Sequence, residues 1–193
     1  MNHVKRLAVY CGSAPGSDPA FAEAARALTR EMAARGVDLV YGGGRLGLMG
    51  IIADTMLEAG GRVYGVIPQA LVDHEVAHLG CTELHTVANM HERKAKMTEL
   101  CDAFIALPGG IGTLDETFES LTWRQLGLHD KPIFLVDIAG YWRLLAELLD
   151  HIVARGFAAP LVPRLIEIVP DVAALMAALA QAAPGRETRS DLL

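Results

Sequence analysis

The sequence is short of cysteine, of positive charge and of long apolar runs. Its 193 residues include three cysteines, Cys11, Cys81 and Cys101. An odd number of widely spaced cysteines supports neither a disulfide framework nor a zinc cluster, and it indicates a reducing compartment. Lys and Arg together number 17 against 23 Asp and Glu, which gives a net charge of -6. We therefore expect no nucleic acid partner, because binding to a phosphate backbone needs a basic face.

Membrane and export signals are also missing from the sequence. No apolar run approaches the roughly 18 residues of a membrane span, and the first residues lack the basic and apolar segments of a signal peptide. We expect a soluble cytoplasmic protein without a membrane partner. The length fits one domain with a real core, which we place at residues 1–183, followed by a polar, loose tail at residues 184–193.

Apolar strand-like segments alternate along the chain with helix-like segments. Asp18 before Pro19 is typical of a helix start, and Asn89 with Glu92 forms a capping-box pattern. Residues 69–87 show no regular pattern. The predicted strands cover residues 7–11, 37–41, 62–67, 103–107, 131–136 and 165–169. Repeated alternation predicts an α/β fold, a Rossmann-like doubly wound parallel sheet flanked by helices in a single domain.

Three glycine-rich loops follow predicted strands, at residues 12–17, 42–50 and 108–116. Ligands of doubly wound sheets bind beyond the carboxyl ends of the strands. The third loop runs from a strand through a glycine turn into a helix, a junction that binds anions and above all phosphate. One such loop could be only a tight turn, but three together favour a nucleotide-sized crevice. Its additional candidate contacts are Gly12, Ser13, Gly43 and Gly44.

Two familiar nucleotide motifs are incomplete. Gly42, Gly44 and Gly47 match the dinucleotide fingerprint, but they follow the second predicted strand rather than the first. The acidic residue expected about 20 positions later is missing, which argues against NAD. No glycine loop ends in Gly-Lys-Ser or Gly-Lys-Thr, so a Walker-type phosphate loop is excluded.

A zinc metalloprotease pattern occurs in His74-Glu75-Val76-Ala77-His78. On a helix, the two histidines of this short pattern would share one face and could bind zinc. The pattern lies in the irregular passage and has no compelling third ligand. We therefore expect no metal and no cofactor.

Arg93 and Glu116 flank the fourth predicted strand, one in the helix before it and one in the helix after it. Arg93 could be an ordinary helix residue, and Glu116 could complete a capping box with Thr113. However, a carboxylate beside an anion-binding turn is more useful where positive charge develops nearby. Such charge develops on the sugar when a glycosidic bond is broken through an oxocarbenium-like transition state. This pairing predicts cleavage of a nucleotide's N-glycosidic bond.

The stretch Pro108-Gly109-Gly110-Ile111-Gly112-Thr113-Leu114-Asp115-Glu116, a PGGxGTxxE motif, is the centre of a wider resemblance. With Met90-His91-Glu92-Arg93-Lys94 and the glycine loop of residues 41–50, it closely resembles the LOG (Lonely Guy) family. Members are cytokinin riboside 5'-monophosphate phosphoribohydrolases. The resemblance implies release of free base and ribose 5-phosphate from N6-modified adenine riboside 5'-monophosphates and from AMP. It also implies a homodimer with sites near the interface.

Carried over by position, the resemblance makes Arg93 and Glu116 the catalytic pair. It gives Glu75 a role without zinc, and Asp115 stands where plant members often have a second glutamate. The implied substrate-binding residues are Glu75, Arg93, Lys94, Gly110, Ile111, Gly112, Thr113, Leu114, Asp115, Glu116 and Thr122.

Two other functions compete with this interpretation. Members of the family have often been labelled lysine decarboxylases, which need a lysine Schiff base with pyridoxal phosphate. None of Lys5, Lys94, Lys96 and Lys131 lies in a suitable context. The other competitor is a non-catalytic carrier of a nucleotide or a molybdopterin-type cofactor, which would not require both Arg93 and Glu116. The sequence leaves the preferred base open, because one apolar contact changes specificity by only about 1 to 3 kcal/mol.

Overall fold

The protein is represented by a computed structural model that describes residues 4–73 and 76–181. These residues form seven strands and seven α-helices in regular alternation. The strands are β1 (Arg6–Tyr10), β2 (Asp38–Tyr41), β3 (Val63–Pro68), β4 (Glu83–Val87), β5 (Ala103–Ala106), β6 (Ile133–Val136) and β7 (Glu167–Val169). The helices are α1 (Pro19–Ala34), α2 (Gly47–Glu58), α3 (Gln69–Asp73), α4 (Met90–Leu100), α5 (Ile111–Gln125), α6 (Arg143–Ala154) and α7 (Val172–Gln181).

All seven strands are parallel and lie in the order β4-β3-β2-β1-β5-β6-β7. The chain builds the sheet outward from β1 in one direction and then returns to build it from β5 in the other. The order therefore reverses between β1 and β5, where Ala8 pairs with both Val40 of β2 and Phe104 of β5. The predicted doubly wound sheet is confirmed.

Helices cover both faces of the sheet because successive strand residues point to opposite sides. On one face, Leu7 and Val9 of β1 join a buried cluster with residues of α1, α2 and α7. On the other face, Ala8 and Tyr10 join a cluster with residues of α4, α5 and α6. None of the helices in the described part of the chain is both long and apolar enough to cross a membrane.

The two predicted helix starts are confirmed. Asp18 precedes α1, and its side chain accepts a hydrogen bond from the amide of Ala20 at 2.9 Å. Asn89 precedes α4, and its Oδ1 accepts from the amide of Glu92 at 2.9 Å. The Glu92 carboxylate in turn accepts from the amide of Ala88 at 3.0 Å. These caps fix where α4 begins and hence the position of Arg93 in its first turns.

The prediction of an irregular passage over residues 69–87 is wrong at both of its ends, although residues 76–82 lie outside the helices and strands. Part of it forms α3, and its end forms β4, which pairs with β3 at the edge of the sheet. An edge strand is half-exposed and need not be apolar throughout. β4 contains exposed Glu83 and Thr86, so it lacks the continuous apolar run of the buried strands. The predicted tail at residues 184–193 lies outside the described residues.

Candidate active site

The three glycine loops converge at the carboxyl ends of β1, β2 and β5. Gly12, which follows β1, connects them through its backbone. Its amide donates to the carbonyl of Pro108 at 3.1 Å, and its carbonyl accepts from the amides of Leu48 at 3.0 Å and Met49 at 3.3 Å. The meeting point lies where the strand order reverses, the position at which doubly wound sheets bind ligands.

A cleft of about 420 Å³ opens between these loops. Its size lies within the range of small-molecule sites. One side is polar and contains the start of α5 with two charged side chains, whereas the other side is mostly apolar. The lining residues are Cys11, Ser13, Gly42, Gly44, Leu46, Met49, Ile67, Leu71, Val76, Arg93, Gly110, Ile111, Gly112, Thr113 and Glu116.

The polar side begins at the N-terminus of α5. Gly110 is the N-cap, and no side chain of the described residues caps the helix. The first amides of an α-helix have no partner within the helix, and the helix dipole makes this end positive. Ile111, Gly112 and Thr113 supply those amides at the wall of the cleft. The arrangement suits an anionic group such as a phosphate.

Thr113 and Glu116 do not form a capping box. They are the third and sixth residues of α5, whereas a capping box joins the N-cap to the third helical residue. Both residues are buried at the cleft, with whole-residue exposures of 3% and 7%. The capping explanation of Glu116 is therefore wrong, and its burial needs another reason.

Arg93 of α4 faces Glu116 of α5 across the floor of the cleft. Arg93 Nη2 lies 3.4 Å from Glu116 Oε1, and each side chain is 9% exposed. The guanidinium occupies the space beside Gly42, where a Cβ atom would overlap Nη2. Arg93 Nε is buried and has no hydrogen-bond partner among the described residues. The site thus holds an ion pair and a spare donor.

Burial raises the pKa of the Glu116 carboxyl from an ordinary 4.5 to about 7. The positive charge of Arg93 opposes this rise, the negative charge of Asp115 adds to it, and Lys94 opposes it more weakly. A carboxyl that titrates near neutrality can both accept and donate a proton at physiological pH. Perturbed carboxyls of this kind in clefts are typical of active sites.

The raised pKa predicts that Glu116→Gln stabilises the protein at high pH. Because the folded pKa exceeds the unfolded one, the stabilising effect of this carboxyl is present below pH 4.5 and is lost as the pH rises through about 7. Glutamine mimics the protonated carboxyl, and its stabilising effect is not lost as the pH rises. One pKa unit corresponds to 1.36 kcal/mol, so the free energy of unfolding of the variant, relative to that of the wild type, should rise by about 2 to 3 kcal/mol from pH 5 to pH 8.

Denaturant unfolding of both proteins at pH 5 and pH 8 measures this difference. Glu31→Gln is the control, because Glu31 is half-exposed in a surface pair with Arg35. Its effect should hardly depend on pH in this range. An advantage of Glu116→Gln that is equal at pH 5 and pH 8 would contradict the raised pKa.

Lys94 and Asp115 contact each other rather than the cleft. Lys94 Nζ lies 3.0 Å from Asp115 Oδ2 and also pairs with Glu119. Burial lowers the pKa of the Lys94 ammonium, but hydrogen bonds to Glu119 and Asp115 outweigh it and raise the pKa above 10.5. These pairs fasten α4 to α5, the two helices that carry Arg93 and Glu116. Substrate contacts of Lys94 and Asp115 stay a prediction.

The remaining predicted residues lie in different surroundings. Leu114 packs against the apolar cluster on its face of the sheet. Thr122 is exposed farther along α5, and its hydroxyl donates to the carbonyl of Phe118 at 2.7 Å. Ser13 and Gly44 line the cleft. Thr122 stays a predicted contact without a place in the cleft.

Gly43 and Gly12 shape the loops without lining the cleft. Gly43 has a φ of +72°, and its carbonyl accepts from the amide of His78 at 2.8 Å. His78 Nε2 also lies 2.9 Å from Asp54 Oδ1. The other residues of the zinc pattern, His74 and Glu75, lie outside the described residues, and so does the predicted substrate contact of Glu75.

No sequence pattern distinguishes Gly42, Cys11 or the apolar wall of the cleft as parts of the site. Gly42 contacts Arg93, which is 51 positions away, and nothing local distinguishes it from its neighbouring glycines. Leu46 and Met49 of the wall lie inside the glycine loop of residues 42–50 and could have been found by that position. The wall consists of Leu46, Met49, Ile67, Leu71 and Val76.

Solved structures with the same fold include a molybdenum cofactor binding protein and a Moco carrier protein. The molybdenum cofactor binding protein of Rippkaea orientalis is 18% identical with a TM-score of 0.70, over 94% of this chain and 98% of that chain. The Moco carrier protein of Chlamydomonas reinhardtii is 21% identical with a TM-score of 0.70, over 93% and 97%. At these identities the likeness shows the fold alone.

Sequence comparisons go further. The family model described as "Possible lysine decarboxylase" matches residues 49–179. LOG1 of Arabidopsis thaliana, named a cytokinin riboside 5'-monophosphate phosphoribohydrolase, is 43% identical over 95% of this chain and 86% of its own length. The enzyme of that name from Rhodococcoides fascians is 45% identical over 91% and 89%. LOGL3 of Oryza sativa subsp. japonica, named a probable one, is 44% identical over 93% and 85%. The chain therefore belongs to the LOG family, as its glycine motifs predict.

Proposed function

We propose that this protein is a phosphoribohydrolase acting on purine riboside 5'-monophosphates. Its substrates are nucleotides of N6-modified adenine, the cytokinin type, and AMP. Water cleaves the N-glycosidic bond and the products are the free base and ribose 5-phosphate. The observation that carries the proposal is the buried Arg93–Glu116 pair, 3.4 Å apart, beside the uncapped start of α5. The names of the plant and bacterial relatives support the same reaction.

The start of α5 is the proposed site of the 5'-phosphate. The amides of Ile111, Gly112 and Thr113 belong to the first turn of α5, where the helix dipole favours a negative charge. These backbone amides stabilise the anion without a positively charged side chain on the first turn of α5. Anchoring the phosphate there leaves the ribose and base to extend toward Glu116 and the apolar wall.

Glu116 is the proposed partner of the ribose. As the bond to the base breaks, its electron pair leaves with the base, which takes up a proton from solvent to become the free base, and positive charge develops at C1'. An ionised carboxylate nearby stabilises that charge, and with a pKa of about 7 it can also take a proton from the attacking water. Arg93 favours the ionised form of Glu116, and its Nε, which has no hydrogen-bond partner among the described residues, can donate a hydrogen bond to the substrate or the departing base.

The apolar wall is the proposed site of the base. Met49, Ile67 and Leu71 of this wall line the cleft together with Arg93 and Glu116. An adenine ring and an apolar N6 substituent would displace water from this surface, which favours binding. The wall gives a physical reason for accepting N6-modified adenine.

Neither competing function has comparable support. The carrier function rests on structures whose identity to this chain supports only the fold. For decarboxylation, a Schiff-base lysine has to be free to react, whereas Lys94 pairs with Asp115 and Glu119. Lys131 Nζ donates to the carbonyls of Thr98 and Cys101, which end α4. Both of these lysines have structural tasks.

We further propose a homodimer with its sites near the interface. Ile111, at the mouth of the cleft, is 81% exposed although it is apolar. Asp115 and Thr122 are exposed on the same side of α5, at the spacing of one helix face. In a dimer formed through this face, Thr122 and Asp115 of one subunit would lie close to the cleft of the other subunit. Light scattering with and without AMP measures the assembly.

The reaction is tested by incubating the protein with AMP and with N6-isopentenyl AMP, and separating the products by chromatography. We expect stoichiometric free base and ribose 5-phosphate from both nucleotides. Adenosine, which lacks the phosphate anchor, should react far more slowly. Binding of both nucleotides without turnover would contradict the proposal and favour a carrier.

A further inference from the structure

Tyr141 contacts the anion-binding turn from a distant part of the chain. Its hydroxyl donates to the carbonyl of Gly109 at 2.5 Å, although the two residues are 32 positions apart. Gly109 lies in the turn between β5 and α5, and Tyr141 lies between β6 and α6. We infer that Tyr141 is a positioning residue, whose hydroxyl orients the backbone of residues 109–110 for the substrate phosphate. The inference rests on the proposed function.

The planarity of the peptide bond carries the effect to the cleft. In a trans peptide the carbonyl and the following amide point in opposite directions. Fixing the Gly109 carbonyl therefore fixes the direction of the Gly110 amide, and Gly110 lines the cleft. A peptide whose oxygen accepts a hydrogen bond is polarised, which strengthens its N–H as a donor. One hydroxyl thus sets the direction and strength of a donor at the phosphate site.

The turn needs such fixing because two glycines form it. Gly109 and Gly110 have no side chains to restrict their rotation, and glycine loses more conformational freedom than other residues when it is ordered. The preceding carbonyl, that of Pro108, is held by the amide of Gly12 at 3.1 Å. Tyr141 supplies the corresponding bond for the next peptide. Together they fix two successive peptide planes.

Tyr141 is itself held in place. Its ring packs edge-on against Phe21 and Trp142, with centroid distances of 5.8 and 5.0 Å. The turn before it contains Ala139 in the left-handed region, with a φ of 55°, which is unfavourable for a residue with a side chain. The Asp137 carboxylate accepts from the amide of Trp142 at 2.6 Å and closes that turn. These contacts explain why a tyrosine that is 41% exposed has a defined position.

The test is Tyr141→Phe, which keeps the ring contacts and removes the hydroxyl. We measure binding of ribose 5-phosphate by calorimetry and KM and kcat with AMP. Losing one hydrogen bond should weaken binding of the phosphate compound about 3- to 10-fold. KM should rise by the same factor while kcat changes less. The control is Tyr64→Phe, which removes a hydroxyl that lies 3.4 Å from Arg6 Nη2, and neither of these two residues lines the cleft.

The outcomes separate the two proposals. If the wild type binds ribose 5-phosphate and cleaves AMP, the proposed function stands. The positioning role is then overturned if Tyr141→Phe binds ribose 5-phosphate as tightly as the wild type. It is equally overturned if the loss of affinity in Tyr141→Phe is no larger than the loss in Tyr64→Phe. It is also overturned if affinity for adenosine, which has no phosphate, falls equally. If the wild type neither binds nor cleaves, the proposed function itself fails.

Discussion

Glu116→Gln is expected to lower kcat/KM for AMP by about 10²- to 10³-fold, because it removes a preorganised charge from the point where the substrate becomes positive. The variant keeps the shape of the Glu116 side chain, which is 9% exposed. Nucleotide binding should therefore be retained, since the phosphate anchor at α5 is untouched. Initial rates and calorimetry with AMP separate the two effects.

Arg93→Ala should cause a loss of similar size for a related reason. Removing the guanidinium leaves Glu116 buried without its counter-charge, so the carboxylate becomes harder to ionise. The pH at which activity is half-maximal should then rise above the wild-type value. An unchanged pH profile would show that Arg93 does not act through Glu116.

The Glu31–Arg35 pair is a matched control for both variants. It joins the same residue types at 3.0 Å, but on the exposed surface of α1. Glu31→Gln and Arg35→Ala should leave kcat/KM within about twofold, since surface pairs contribute at most about 1 kcal/mol even to stability. If Glu116→Gln or Arg93→Ala released base at a rate near that of these controls, the catalytic assignment would be wrong.

Local sequence patterns were sufficient for most of the fold. β5 is buried at every position and its four residues are apolar, so the strand could be recognised without knowledge of its neighbours. The helix starts at Asp18 and Asn89 depend on side chains that bond within three residues. β4 could not be predicted because it depends on pairing with β3, and its own residues carry no continuous apolar signal.

The candidate site, like the fold, could be predicted where its parts lie in one segment and not where they depend on contacts between distant segments. The glycine turn and the start of α5 form one continuous segment, so their proximity follows from the sequence itself. Arg93 and Glu116 lie on helices on either side of β5, and their separation of 3.4 Å depends on how α4 and α5 pack. The contacts of Gly42 with Arg93 and of Tyr141 with Gly109 join distant parts of the chain. Only tertiary structure reveals them.

Gly42→Ala is expected to lower kcat/KM for AMP by about 10²-fold, although the residue has no functional group. A Cβ on Gly42 would overlap Arg93 Nη2 and also meet its Cζ at 2.9 Å. Arg93 is too buried to swing aside freely, so its guanidinium must shift relative to Glu116. Misplacing a group in an active site by about 1 Å can cost that much. Alanine rather than a larger residue limits the change to one methyl group.

A double-mutant cycle identifies the cause of that loss. In the Arg93→Ala background the overlapping atoms are gone, so adding Gly42→Ala should change kcat/KM by less than about threefold. Non-additivity of this kind is expected for residues in contact, whereas distant and independent sites give additive effects. If Gly42→Ala were equally harmful with and without the arginine side chain, its effect would come from the loop and not from Arg93. The strong coupling we expect would explain why a glycine stands at this position, since the loop after β2 must leave the space that the guanidinium occupies.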